Sequence, residues 1–353
     1  MNWGGIKIAY VPYQKDLVVP GDRRRFVFYA NERKIKFDLG DPSKRFDIVY
    51  LTYGCDVSAW IEYKKSNPNV KFVFELIDSY LLENSNVLTL FRGVARYFLK
   101  KESAIWLDYK VALRKIVTLA DAVVCSTQAQ KDDMLRYNKN IHLSLDYFSN
   151  DITHHKISLK SSKKIRLVWE GQAHTVNNLL LLNDVLKELG DNVELYIITD
   201  LLIQSPLTIF DNSTKRILKK LKCSYHIVSW EKNNFSANIA NADLAIIPIS
   251  SDNPMMWNKP ENKLLLLWEI GIPTLTSDTP AYRNVMNAAG LDLCCSTSEE
   301  WVKKIKEYAN SSIEYRESLV VKANDYLHKF HNREKILNSW DGIFDSLQID
   351  LGK

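Results

Sequence analysis

Residues 259–280 read KPENKLLLLWEIGIPTLTSDTP. An apolar run lies between two sets of structural stops. Pro260 stands where a helix favours its first residue. Gly271 suits a C-terminal cap, and Pro273 blocks continuation. The spacing predicts a helix over 261–270, a short strand over 274–277 and a second helix over 280–287. Just upstream, residues 243–248 (DLAIIP) form an apolar run closed by a breaker, as expected of a strand buried on both faces. The first turn of the helix at 261 leaves backbone N–H groups free at the positive end of its dipole, and Lys259 and Lys263 bring charge to that end. This suits a diphosphate; it equally suits a well-capped helix with two solvated lysines.

Moving outward, the same alternation repeats. Downstream of residue 164, strands are predicted at 165–169, 193–199 and 225–230, with helices at 177–189, 214–222 and 235–240. Helices at 298–310, 313–330 and 334–347 close the chain. Upstream, strands at 6–11, 36–39, 47–52, 70–77 and 122–126 alternate with helices at 22–33, 57–66, 86–101, 105–119 and 128–137. Apolar strands separated by helices imply parallel sheets covered on both faces. The polar, basic stretch 151–164 (DITHHKISLKSSKK) interrupts the pattern and reads as a linker. The expected fold is α/β: two Rossmann-like doubly wound domains, 1–155 and 156–330, facing a central cleft. Residues 331–353 add a C-terminal helix that can pack back on the first domain. Ligands of such sheets bind beyond the carboxyl ends of the strands, so the cleft is the expected site.

Bulk properties agree. The 353 residues suit two domains of about 150–180 residues better than one core. Hydrophobic residues make up 46% and charged residues 25%, the balance of a globular protein rather than a disordered chain. A formal charge of +5 is too mild and too dispersed for a dedicated nucleic-acid binder, and fits anionic small substrates or an anionic membrane. The five cysteines show no CxxC spacing, which reads as a reducing compartment and no metal site. The N-terminus lacks a signal-peptide pattern, and no apolar stretch is long enough to span a bilayer. The expected location is therefore cytoplasmic, with peripheral attachment at the inner face of the membrane as a further candidate.

The segment at 259–280 resembles the donor-binding region of GT-B glycosyltransferases in the large retaining family with a Glu-x7-Glu motif. Asn262-Lys263-Leu264, Gly271-Ile272-Pro273 and Ser277-Asp278 match that family's pattern in order and spacing. Ala240-Asn241-Ala242-Asp243 with Pro248 is similar to its preceding strand. The likeness covers the C-terminal half well and the N-terminal half loosely. It implies transfer of a sugar from a nucleotide-sugar donor to a glycan or lipid-linked acceptor, in surface polysaccharide assembly, with no cofactor and no metal. Glu261, Asn262, Lys263, Lys259 and Glu269 become donor-binding candidates. Glu261 and Glu269 are spaced as Glu-x7-Glu, but counting back from Gly271 puts the family's glutamates at Asn258 and Leu266, so the pair is out of register. The loop after the strand at 165 lacks the family's basic pair and reads Glu170-Gly171-Gln172-Ala173-His174. Gly171 permits close approach of a phosphate or sugar. Glu170 is either a sugar-binding, catalytic carboxylate or a buried strand end, and His174 reads first as structural.

Three N-terminal features complete the candidates. Gly21, Asp22, Arg23 and Arg24 lie in the first strand–helix loop, where arginine forks suit phosphate and a solvated helix start is the plainer alternative. Asp78 ends the strand at 70–77, placed either as a general base for an acceptor hydroxyl or as a helix cap. Residues 87–101 (VLTLFRGVARYFLKK) contain no acid. Leu88, Phe91, Ala95, Phe98 and Leu99 can share a face, with Arg92, Arg96, Lys100 and Lys101 around it. That describes either a helix packed on its domain or one that lies on an anionic bilayer. Two rival functions stay open: a nucleotide-sugar epimerase or phosphorylase, and a non-catalytic two-lobed nucleotide- or glycan-binding protein. Retention and inversion are equally open.

Overall fold

The computed structural model describes residues 5–83, 87–160, 164–200 and 214–348, with side chains from 91 onward in the helix that begins at Val87. The chain forms two compact units. Unit 1 comprises Met1–Tyr147, Asn253–Pro260 and Arg333–Lys353; unit 2 comprises Phe148–Asp252 and Glu261–Asn332. Among the described residues no helix is long and apolar enough to cross a membrane.

Unit 1 is built on a parallel sheet of β1 (Ile8–Val11), β2 (Asp38–Leu39), β3 (Ile48–Thr52), β4 (Lys71–Leu76), β5 (Ala122–Cys125) and β6 (Ile141–Leu143). Their order is β2-β1-β3-β4-β5-β6. Strand alternation sorts side chains onto two faces. Val49, Leu51, Phe72, Phe74 and Val123 meet Val57, Trp60, Ile61, Leu113 and Ile116 on one face. Ile8, Tyr10, Tyr50, Val73 and Val124 meet Phe26, Tyr29, Ile336, Trp340 and Phe344 on the other. The helix Arg333–Asp345 thus completes a layer of this unit, with the fully buried Trp340 stacked on Tyr29 at 5.5 Å between ring centroids. Each such buried side chain contributes roughly 1.5–3 kcal/mol relative to exposure.

Unit 2 is built on β7 (Ile165–Glu170), β8 (Val193–Thr199), β9 (Tyr225–Ser229), β10 (Leu244–Ile247), β11 (Thr274–Ser277) and β12 (Cys294–Cys295), ordered β12-β11-β10-β7-β8-β9. The order reverses between β7 and β10, whose registers pair Leu244 with Leu167 and Ala245 with Val168. Such a reversal opens a crevice beyond the strand ends. Asp243 fixes this pairing: its amide donates to the Arg166 carbonyl, and its carboxylate accepts from the Arg166 amide, each at 2.8 Å.

The α/β, doubly wound architecture expected from the sequence is present in both units. Several local expectations are corrected. The helix expected over 22–33 is two pieces, Pro20–Arg23 and Phe26–Glu32, because Arg25 leaves helical geometry and turns inward. The helix expected from 105 begins at Tyr109, where the Asp108 carboxylate accepts from the Lys110 amide as an N-cap. The start of the helix expected over 177–189 is a 3-10 segment, Ala173–Leu182, followed by the α-helix Asn183–Leu189. The short strands β6 and β12, and the one-turn helix Pro254–Trp257, were not anticipated. The stretch expected as a linker lies on unit 2 instead: Lys156 donates from its amide to Ile270 O at 2.7 Å and from Nζ to the carbonyls of Ala240 and Ala242. Residues 161–163 of that stretch, and Asn86 at the expected helix start, lie outside the described residues.

Candidate functional site

In unit 2 the candidates gather at the β7–β10 reversal. The helix Asn262–Ile270 follows β10, with Glu261 at its N-cap and Gly271 at its C-cap. Gly271 adopts φ 89°, and its amide reaches Leu267 O and Trp268 O, so the helix ends where a left-handed residue is required. Leu264 through Trp268 and Ile270 are buried, which holds the first turn rigidly in place. Lys263 in that turn reaches the end of β7. Its Nζ lies 3.5 Å from Glu170 Oε2, donates to Glu170 O, and sits 5.4 Å from the centre of the Trp169 ring. Gly171 fills the space between them: a Cβ there would lie 2.7 Å from two Trp169 ring carbons and 2.9 Å from Lys263 Nζ. Glycine is therefore needed for the close approach of the Trp169 ring and Lys263 to the buried backbone at the end of β7. Beside this, Ile249 N–H donates to Ser277 Oγ at 2.8 Å, tying the loop after β10 to the end of β11.

Glu261 differs from its neighbours. It lies at the helix start with most of its surface covered, and no hydrogen-bonded or ion-paired side chain meets it among the described residues. Burial pushes its carboxyl up to about 7, opposed only by a hydrogen bond from its own amide, and its charge is felt by Tyr282 and Tyr326. Glu269 lies in the last turn of the same helix, where its carbonyl accepts from His155. Seven residues of helix separate it from Asn262, about 10 Å of rise. The two glutamates therefore occupy opposite ends of the helix. His174 sits in the 3-10 segment after β7.

In unit 1 the candidates lie at the ends of β1 and β4. Asp78 follows β4 and starts no helix; residues 80–82 form a turn instead. Its carboxylate, a third exposed, lies 3.7 Å from Lys259 Nζ. Ser79 Oγ donates to Asn258 O at 3.1 Å. The two lysines expected to flank one helix start thus have different partners: Lys259 meets Asp78 in unit 1, and Lys263 meets Glu170 in unit 2. Gln130 braces the same strand end, its amide donating to Leu76 O and Ile77 O, each at 3.0 Å. Sequence reading missed Gln130, although Thr127 three residues earlier marks a capping box.

The first loop of unit 1 is largely committed to structure. Asp22 is fully buried and accepts from Tyr10 OH at 2.5 Å, Tyr13 N at 2.9 Å and Gln14 N at 3.0 Å. Gly21 packs under the Tyr13 ring. Arg23 donates to Val18 O, and the Arg24 carbonyl accepts from Tyr147. Arg25 goes wholly inside and pairs with Glu75 at 2.5 Å and Asp146 at 3.0 Å. Burial drives the Glu75 carboxyl up against the opposing pull of Arg25.

The helix Val87–Phe98 inverts its expected disposition. Arg92 pairs with Glu83 at 2.7 Å and lies over the Tyr80 ring. Arg96 is buried, donates to Cys55 O at 2.8 Å and lies over the Tyr53 and Tyr109 rings. Phe91, Phe98 and Leu99, expected on a buried face in the packed alternative, are exposed. The Leu88 side chain lies outside the described residues.

No family model matches the chain, and no curated protein does. Solved structures do. The chain is similar to a glycosyltransferase from Rickettsia africae, with 12% identity over 98% of this chain and 100% of that one and a TM-score of 0.60. It is similar to Anabaena HepE in complex with UDP and glucose, with 10% identity over 97% and 99% of the two chains and a TM-score of 0.60. It is also similar to S. aureus TarM in complex with Fondaparinux, alpha-GlcNAc-glycerol and UDP, with 12% identity and a TM-score of 0.55. That match covers 84% of this chain and 55% of TarM, so the chain spans about half the length of that relative. The fold is that of the GT-B glycosyltransferases.

Proposed function

We propose that this protein is a glycosyltransferase that takes a sugar from a nucleotide-sugar donor. One observation carries the reading: Lys263, in the first turn of the helix Asn262–Ile270, packs against Gly171 and pairs with Glu170 at the β7–β10 reversal. The positive end of a helix dipole and a lysine at one point favour a diphosphate. The bound UDP of the HepE and TarM structures supports the same assignment by likeness of fold.

Transfer breaks the bond between the sugar C1 and the diphosphate oxygen and forms a bond from C1 to the acceptor oxygen. The departing diphosphate gains negative charge, which Lys263 and the helix N-terminus stabilise. To do this Lys263 exchanges Glu170 for phosphate. Glu170, once released, is the proposed sugar-side carboxylate, and Asn262 and Glu261 at the same helix start are further proposed donor contacts. In unit 1, Asp78, positioned by Gln130 and paired with Lys259, is the proposed acceptor-side group that receives the hydroxyl proton. A glycan or a lipid-linked saccharide is the proposed acceptor class, in surface polysaccharide assembly.

The test is calorimetric titration with UDP, GDP and ADP, followed by incubation with the matching nucleotide sugars and saccharide acceptors. Acceptor-dependent nucleotide release supports transfer. Conversion of the nucleotide sugar without an acceptor overturns it in favour of an epimerase. Absence of nucleotide binding overturns the nucleotide-sugar reading.

A further inference from the structure

We propose that the segment 91–107 of unit 1 is a docking surface for an anionic lipid bilayer. Phe98 is 74% exposed and Leu107 79% exposed, with Phe91 at 60% and Ile105 at 52%. Single exposed apolar residues are ordinary; a cluster is not. Phe91 and Phe98 are seven residues apart on one helix and share a face. The loop that follows is pinned to that helix at Gly93, where an added Cβ would lie 2.8 Å from Trp106 Cβ. Ile105 and Leu107 flank Trp106, whose own indole is anchored inward by donating to Ser58 Oγ at 2.7 Å. Helix and loop therefore present their apolar side chains from one continuous piece of structure.

Charge selects the occupant. Between residues 87 and 120 there are seven lysines and arginines and two acids, Glu102 and Asp108. Of these cations Arg92 pairs with Glu83, Arg96 is buried against Glu102 and Lys110 is buried, which leaves lysines as the exposed charge. Both acids are spent internally. Glu102 is buried and accepts from Val57 N, Ser58 N and Tyr109 OH, and Asp108 caps a helix. Lys100, Lys101 and Lys115 are exposed. A second copy of the chain would bring the same positive surface against itself, which like charge opposes. Exposed phenyl and aliphatic groups ringed by lysines match a bilayer with anionic headgroups, where the apolar tips enter the acyl boundary and the ammonium groups remain among the phosphates.

The experiment is cosedimentation of the full chain with phosphatidylcholine vesicles, with and without phosphatidylglycerol, at low and high salt. Selective binding to the phosphatidylglycerol vesicles, weakened by salt, is expected. K100E/K101E is expected to lower that binding at least about thirtyfold, the worth of two surface lysines. F98S/L107S is expected to weaken it at both salt concentrations. All these side chains are exposed, so unfolding temperature and nucleotide affinity should stay at wild-type values. Failure of the wild-type chain to bind the anionic vesicles overturns the proposal. So does undiminished binding by K100E/K101E. A lipid-free dimer that F98S/L107S dissolves would instead assign the surface to a second copy.

Discussion

Lys263 and Glu170 hold each other at the end of β7, with Nζ 3.5 Å from Oε2 and a further hydrogen bond to the Glu170 carbonyl. The cation proposed for phosphate is thus already engaged, and phosphate competes with a carboxylate for it. The two partners should respond to mutation with opposite sign. K263A removes a charge-assisted interaction of about 1.5–3 kcal/mol, so affinity for the nucleotide that binds should fall about ten- to a hundredfold. E170Q releases Lys263, so that nucleotide should bind more tightly while the proposed sugar transfer is lost. Calorimetry on both variants checks this; weaker nucleotide binding by E170Q would make Glu170 a direct ligand.

Gly171 should tolerate no side chain. In G171A the new methyl lies 2.7 Å from two Trp169 ring carbons, so the ring and Lys263 both move. Overpacking of this kind costs about 1–3 kcal/mol. Denaturant unfolding should show that loss and calorimetry a weaker nucleotide affinity, whereas an alanine that leaves both unchanged would mean the loop relaxes freely.

Arg25 predicts a large structural effect. R25M leaves Glu75 buried without its cation and removes the Arg25–Asp146 pair. Breaking a buried pair in this way costs about 3–5 kcal/mol. The double variant R25M/E75L should recover much of the loss, because the uncompensated carboxylate is gone. Equal instability of the single and double variants, measured by urea unfolding, would contradict this.

Glu261 should make stability depend on pH. Burial disfavours the charged form and pushes its carboxyl up to about 7, above the ordinary carboxylate range. The native state therefore holds the proton more tightly than the unfolded chain. The contribution is fully present below about pH 4.5 and is lost as pH rises through 7. The difference is at most about 3 kcal/mol. E261Q removes the titration, so its stability relative to wild type should increase between pH 5 and pH 8. A constant difference across that range would show that the carboxylate is solvated.

The architecture was legible because apolar runs of strand length alternate with amphipathic helices, and Gly271 and Pro273 mark a helix end by local chemistry. Asn262, Lys263 and Gly171 could be singled out for similarly local reasons. Their partners could not. Nothing in the order of residues says that Lys263 crosses to Glu170 while Lys259 turns to Asp78, since both lysines lie within one short run. Asp22 and Arg25 look like solvated loop residues, and only tertiary burial, through Tyr10, Glu75 and Asp146, gives them internal roles. The two alternatives for the helix from Val87 stayed open for the same reason. Periodicity showed an apolar and a basic face, but the aromatic rings of Tyr53, Tyr80 and Tyr109 drew the arginines inward and turned the phenylalanines out.

Trp340, Ile343 and Phe344 fill one face of the sheet formed by the first 143 residues. During synthesis, that face stays only partly covered, by the helix Phe26–Glu32, until residues 333–345 have left the ribosome. The usual order, in which an amino-terminal domain closes before its successor is made, is therefore unavailable to unit 1. Unit 2, whose strands and helices are complete by Asn332, is translated in full before unit 1 receives its last layer. Nascent chains arrested near residue 330 should leave Tyr29 and Phe26 open to chaperones, and release of the final helix should end that exposure.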